Sequence, residues 1–304
     1  MIRFVKHIEV DTGKWDICIR KSVNCMPYAF SWYLDIVVSE WDALILNDYE
    51  AVFPLPKKSK FSITYSSTPF WVQQLGLFSK TCTGLKRLDD FVKAIPKEYK
   101  FIELNLNFNS TLASLEGVKL MANNNYVLQL DKPYLEQSSL YSKNLKRNLK
   151  KAQANSLQLF KNDAPKGLIQ LFRADRGKAI NHFSGADYKN LETIMHVAIH
   201  KHCGQVWMVY DEGNRPVAGM FLLFSPTRIV LLFTGNSKEG KQMSAMPYLI
   251  DHFIKESANS GLVLDFEGSN DLNLARFYKS FGAINEPYQN LKINRLPLFF
   301  RLFK

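Results

Sequence analysis

The chain of 304 residues has few cysteines, few histidines and no long apolar run. Cys18, Cys25, Cys82 and Cys203 are scattered, with no Cys-x-x-Cys pair. That spacing argues against a disulfide framework or a thiolate zinc site and predicts buried or free thiols. His196 and His200 have the four-residue spacing of paired zinc ligands on a helix. Val197, however, stands where a metalloprotease motif needs glutamate, and no third ligand is evident, so no metal is expected. No apolar stretch approaches the roughly 20 residues that cross a bilayer, and Met1–His7 lacks the apolar core of a secretion signal. A cytoplasmic protein without integral membrane association is the expectation. Acidic residues are outnumbered, 28 Asp and Glu against 39 Lys and Arg, for a net charge of +11. This excess favours a nucleic acid, an anionic membrane surface or a nucleotide-bearing substrate as partner, although a merely solvated basic surface gives the same count.

The length suggests two domains. In the first half, Tyr28–Val38, Trp41–Leu46, Ala51–Leu55 and Phe61–Tyr65 read as an antiparallel meander with turn residues between them. Pro69 then fits a first helical position, before Phe70–Phe78. Gln73 and Gln74 are amides in that otherwise apolar stretch. They are either a partly exposed helix start or a pocket wall that hydrogen-bonds a substrate. A helix over Leu85–Ile95, a strand over Phe101–Leu106 and another over Tyr126–Leu130 follow. The second half predicts helices over Lys166–Ile180 and after a cap at Asp187, the latter with Leu191, Ile194, Met195, Ala198 and Ile199 on one face. A second meander, Val206–Tyr210, Val217–Phe224 and Ile229–Thr234, leads to a helix over Pro247–Ala258, a strand over Leu262–Phe266 and a last strand over Tyr288–Ile293. The apolar tail Leu298–Phe303 either packs back or mediates association. The shared order of elements predicts an α+β protein of two similar domains, 1–135 and 136–304, packed side by side.

Between the halves, 142–154 predicts a helix without an acid. Leu145, Leu149 and Ala152 form a narrow apolar stripe, and Lys143, Lys146, Arg147, Lys150 and Lys151 occupy the rest. Such a helix is either a solvated face or a phosphate-contacting one, and Lys146, Arg147 and Lys150 are the candidates for contact.

The stretch Gly261–Ala283 carries the chemistry. An apolar run ends in Asp265 and Glu267, at the carboxyl end of a buried strand, where open sheets place ligands. A helix with Leu274, Phe277, Tyr278 and Phe281 at helical spacing then runs to Gly282. Asn273-Leu274-Ala275-Arg276-Phe277-Tyr278-Lys279-Ser280-Phe281-Gly282 resembles the closing helix of the GNAT acyltransferase fold, in which the tyrosine often protonates the leaving group. With the basic Ser-x-x-Leu-Lys-Arg-x-x-Lys-Lys-Ala helix between two similar halves, the chain resembles the tandem-GNAT FemABX aminoacyl transferases. The resemblance implies two GNAT-like domains, each a mixed, mostly antiparallel sheet flanked by helices.

It also implies transfer of an acyl or aminoacyl group to an amine, with an acyl donor and an amine acceptor as partners and no permanently bound cofactor. The donor would be aminoacyl-tRNA or acyl-CoA. The segment Gly235–Ala245 departs from the pyrophosphate-binding loop of CoA-dependent relatives, which favours the former. Tyr278 would donate the proton, Glu267 or Asp265 would orient or deprotonate the amine, and Arg276 or Lys279 would stabilise developing charge or substrate phosphate. A CoA-dependent N-acetyltransferase with a degenerate loop, and a non-catalytic module binding RNA or another anion, are the alternatives.

Overall fold

The computed structural model describes residues 1–179, 183–268 and 270–297. The apolar tail over Leu298–Phe303 lies outside them. The chain divides into two compact units, Met1–Asn124 joined by the segment from Glu286 onward, and Asn125–Asn285. This differs from contiguous halves meeting after residue 135, because the chain passes between units twice.

The first unit has two sheets. Four strands run in the order Ile2–Val5, Trp41–Leu46, Ala51–Pro56, Phe78–Ser79. Five run in the order Lys58–Lys60, Ile63–Ser67, Tyr99–Asn105, Tyr288–Asn294, Val118–Asn123. Trp41–Leu46 and Ala51–Pro56 are buried at every position, so apart from Asp42 they read as apolar runs rather than as an alternation. Phe53, Phe91, Tyr99, Ile102 and Leu291 meet in one core cluster.

The expected strand over Tyr28–Val38 is instead a short 3-10 turn, Pro27–Ala29, and a helix, Ser31–Val37. A helix also occupies Thr12–Lys21, where Asp11 caps the Lys14 N–H and Trp15, Cys18 and Ile19 bury one face. Aromatic and β-branched residues favour strands only weakly, and packing against neighbours overrides that preference here. The stretch after Pro69 forms no helix; Trp71 is left-handed at φ 64°.

The second unit is built on seven strands in the order Gln158–Lys161, Gly204–Tyr210, Pro216–Phe224, Arg228–Asn236, Val263–Asp265, Tyr126–Gln129, Ile284–Asn285. All neighbours are antiparallel except Arg228–Asn236 with Val263–Asp265. That parallel pair is bridged by the helix Ala245–Glu256, the crossover that parallel strands require. The helix Gly185–His200 starts from Ser184, whose hydroxyl accepts from the Asp187 N–H while Asp187 caps back. Asp187 is thus the third residue of a capping box and not the cap itself.

Two strands sit in the unit opposite to the one their position in the sequence suggests. Tyr126–Gln129 pairs with Val263–Asp265 and Ile284–Asn285 in the second unit. Tyr288–Asn294 lies between Tyr99–Asn105 and Val118–Asn123 in the first. Local pattern identifies a strand but not its partner.

One irregularity opens the second sheet. Arg228–Asn236 pairs with Val263–Asp265 only through Arg228, Ile229 and Val230. The shorter strand then ends, while the longer one runs on to Asn236. On its other edge the register shifts where Phe221 faces Phe233 and Leu222 faces Leu231, leaving Leu232 as an extra residue. Such a bulge bends the strand and increases its twist. Past Val230 the two parallel strands therefore part, and a gap opens beside Leu231, Thr234 and Asn236.

Candidate active site

A cavity of about 520 Å³ fills that gap. Leu231, Thr234 and Asn236 line it from the splayed strand, and Met246, Pro247 and Ile250 from the crossover helix. The closing helix Leu272–Lys279 contributes Leu274, Phe277 and Tyr278. Phe172, Asp175 and Arg176 enter from the end of the helix Pro165–Ala174 and the turn after it, and Lys241 comes from the helix Lys238–Met243.

Tyr278 is the wall residue with the clearest chemical capacity. Asp271 caps its helix by accepting from the Asn273 and Leu274 N–H groups. The first turn is fixed by this cap, and Tyr278 then falls on the inward face with Ala275. Its ring stacks on Phe266, with centroids 4.7 Å apart and planes 20° apart. Its hydroxyl makes no hydrogen bond to a described residue. Burial holds this hydroxyl well above the usual phenol range. The Glu267 charge adds to the effect, Arg176 opposes it, and Asp265 adds a smaller contribution. A phenol in that state is protonated at neutral pH and can donate.

The two carboxylates of the turn do different things. Asp265 is fully buried. Its Oδ2 lies 2.6 Å from the Arg228 guanidinium and accepts from the Asn125 amide at 3.2 Å, while Oδ1 accepts the Glu267 N–H at 2.9 Å. It ends the strand and does not line the cavity. Glu267 is half-buried and left-handed at φ 50°, a conformation uncommon for a residue with a side chain. It too lies outside the lining, but its charge reaches Tyr278.

Arg276 and Lys279 line a second cavity of about 470 Å³ on the other side of the closing helix. Lys146 and Arg147 line neither; Lys146 donates to the Ser139 carbonyl and Arg147 to the Asn144 side chain. Lys150 lies exposed on the same helix, outside both. Gln73 and Gln74 belong to the first unit and are used within it. Gln74 is fully buried, its oxygen accepting from the Phe108 N–H and its amide donating to the Gln73 side chain.

Sequence reading missed Asp175, Arg176, Lys241 and Thr234. One signal was visible: Arg173–Lys178 holds four charges in the last part of the helix expected over Lys166–Ile180. Asp175 and Lys241 form an ion pair in the cavity wall. Arg176 is a cation there with no ionic partner among the described residues. Among the described residues, no three His, Cys, Asp or Glu are grouped to hold a metal, and no helix is long and apolar enough to cross a membrane.

Residues 140–280 match the family model described as Acetyltransferase (GNAT) domain. No curated protein sequence matches the chain. Among solved structures, that of FemX is similar over 97% of this chain and 99% of its own, at 13% identity and TM-score 0.71. L-PGS from Bacillus licheniformis matches over 86% and 87%, at 10% identity and TM-score 0.52. A tandem GNAT protein from the clavulanic acid biosynthesis pathway matches over 98% and 99%, at 9% identity and TM-score 0.51. At these identities the structures speak to fold. Residues 140–280 thus carry a GNAT domain, and the fold of the chain is that of FemX and of the tandem GNAT protein.

Proposed function

We propose that the second unit catalyses transfer of an acyl group to an amine in the cavity beside Tyr278. The observation that carries this reading is Tyr278, which lines the space that the splayed strands open and whose hydroxyl has no hydrogen-bond partner among the described residues. In acyl transfer an amine attacks a carbonyl, negative charge grows on its oxygen and the leaving group needs a proton. Tyr278 supplies the proton, and the proton that the amine sheds as the new bond forms returns to the Tyr278 oxygen. Arg176, without an ionic partner among the described residues, stabilises the developing charge. The apolar floor of Phe172, Ile250 and Phe277 excludes water from the reacting carbonyl.

An aminoacyl ester of an RNA end is the donor this reading favours over acyl-CoA. Residues that would cradle a pyrophosphate are folded onto themselves. The Ser237 N–H donates to Val217, and Ser237 takes both the Gly240 N–H, through its side chain, and the Lys241 N–H, through its carbonyl. A side chain at Gly240 would meet the Val217 carbonyl at 2.1 Å, so that backbone is already close-packed. Pro247, third in the crossover helix, has no N–H to offer. The exposed cations Lys146, Arg147 and Lys150 then contact RNA phosphate.

The test is an amine-acylation assay with aminoacylated RNA and with acetyl-CoA. Tyr278→Phe keeps the ring and is expected to lower turnover about 10²–10⁴-fold, the usual scale of general acid help, with an unchanged melting temperature. A variant as fast as the parent would remove Tyr278 from the mechanism. Turnover from acetyl-CoA alone would replace the donor assignment.

A further inference from the structure

The second cavity lies where the basic helix Lys143–Gln153 meets the closing helix. No acidic side chain lines it. Arg276 and Lys279 face it from one helix, with Asn273 beside them, and Asn144 and Asn148 face it from the other. The Asn148 and Asn273 amides and the Arg276 guanidinium have no hydrogen-bonding or ionic partner among the described residues. Asn144 accepts from Arg147 through its oxygen, and its NH₂ group donates to no described residue. The Lys279 ammonium is held 5.3 Å above the Tyr126 ring.

This set is rich in donors and poor in committed acceptors. A guanidinium, an ammonium and three amide NH₂ groups around one space match a ligand with several acceptor oxygens and negative charge. The walls also hold their positions, because Ser142 caps the first helix and its N–H donates to the Ser280 carbonyl of the second segment.

We propose that this cavity is a binding site for a phosphate group, distinct from the Tyr278 cavity although Phe277 stands in the wall of both. The proposal does not depend on the transfer reaction, since a catalytically inert domain would carry the site equally. An RNA backbone, a nucleotide diphosphate and free pyrophosphate all present the same chemistry, and the experiment separates them.

The experiment is titration calorimetry of the full chain with inorganic pyrophosphate, uridine diphosphate and a four-nucleotide RNA. Saturable one-site binding of at least one is expected, and which probe binds most tightly identifies the source of the phosphate. Hydrogen bonds to charged groups are the strong ones, so Arg276→Gln with Lys279→Gln is expected to weaken the best probe by about 10-fold or more. Asn148→Leu keeps the net charge and fills the cavity; it is expected to weaken binding to a similar degree, and Asn273→Leu repeats the test on an exposed residue should the first variant unfold. Lys151→Gln with Lys189→Gln removes the same charge from exposed positions outside the cavity and is expected to change pyrophosphate affinity by less than about 3-fold, since neither side chain lines it and exposed charges are largely screened. Equal losses from the two charge pairs, with both leucine variants neutral, would show a diffuse basic field and overturn the proposal. So would absence of binding by all three probes at millimolar concentration.

Discussion

Asp251 shows what a single buried acid does to this unit. It lies on the crossover helix and is buried, and both of its oxygens are 3.0 Å from the Tyr134 hydroxyl. The buried Tyr141 hydroxyl sits close by without meeting hydrogen-bond geometry. Burial raises the Asp251 carboxyl above the usual carboxylate range, and the tyrosines, His252 and Lys255 only partly offset this. The same environment pushes the Tyr134 hydroxyl up to about 12. A carboxyl raised in the folded state favours folding while it is protonated, and that contribution fades as pH climbs through the raised value. At pH 7 the charged form is therefore a cost, and each tenfold change in proton affinity is worth about 1.4 kcal/mol. Asp251→Asn keeps an acceptor for Tyr134 and should raise the melting temperature at pH 7, with little gain at pH 4. A loss at pH 7 would mean that the charged hydrogen bond outweighs desolvation. The Arg228–Asp265 pair makes the opposite case, since both partners are buried. Arg228→Ala takes away the ionic partner of the buried Asp265 and should cost about 3–5 kcal/mol in denaturant unfolding.

At the scale of elements, the sequence revealed helices by their caps and stripes and concealed whatever depends on a distant partner. The basic helix was legible because Ser142 precedes it and Leu145 and Ala152 fall on its buried face. The closing helix was legible from its apolar spacing and from Gly282. The helices over Thr12–Lys21 and Ser31–Val37 were not, since aromatic residues there suit a strand equally well until Asp16 takes the Ser31 N–H and hydroxyl. Tyr278 could be singled out from its motif. Arg176 could not, because it lies about a hundred residues away in sequence and only the sheet brings the two together. The exposed cations give the basic helix its own prediction. Lys146→Ala with Arg147→Ala should weaken single-stranded RNA binding and flatten its salt dependence by about 1.4 in log–log slope, two phosphate contacts at roughly 0.7 each. An unchanged slope would leave that face merely solvated.

At the scale of the whole molecule, the exchange of strands between units was the least legible feature. Tyr126–Gln129 and Tyr288–Asn294 both look like ordinary strands of their own half, and nothing local tells either where it pairs. The α+β class and the tandem arrangement follow from element order and from the closing-helix motif. The units' true limits follow only from pairing.

That exchange has a consequence for the order in which the chain can be finished as it is made. Among the described residues, 118–123 pair only with 288–294, so the first unit waits for its fourth strand while the entire second unit is synthesised. At about 5–20 residues per second the wait is roughly 10–30 s. The later unit, contiguous from 125 to 285, is complete first, and the emerging amino-terminal segment remains an unfinished sheet with an open edge, the kind of surface that chaperones cover. A fragment of residues 125–285 should melt cooperatively by circular dichroism, whereas residues 1–124 should not. Adding residues 286–297 as a separate peptide should restore a cooperative transition to the latter.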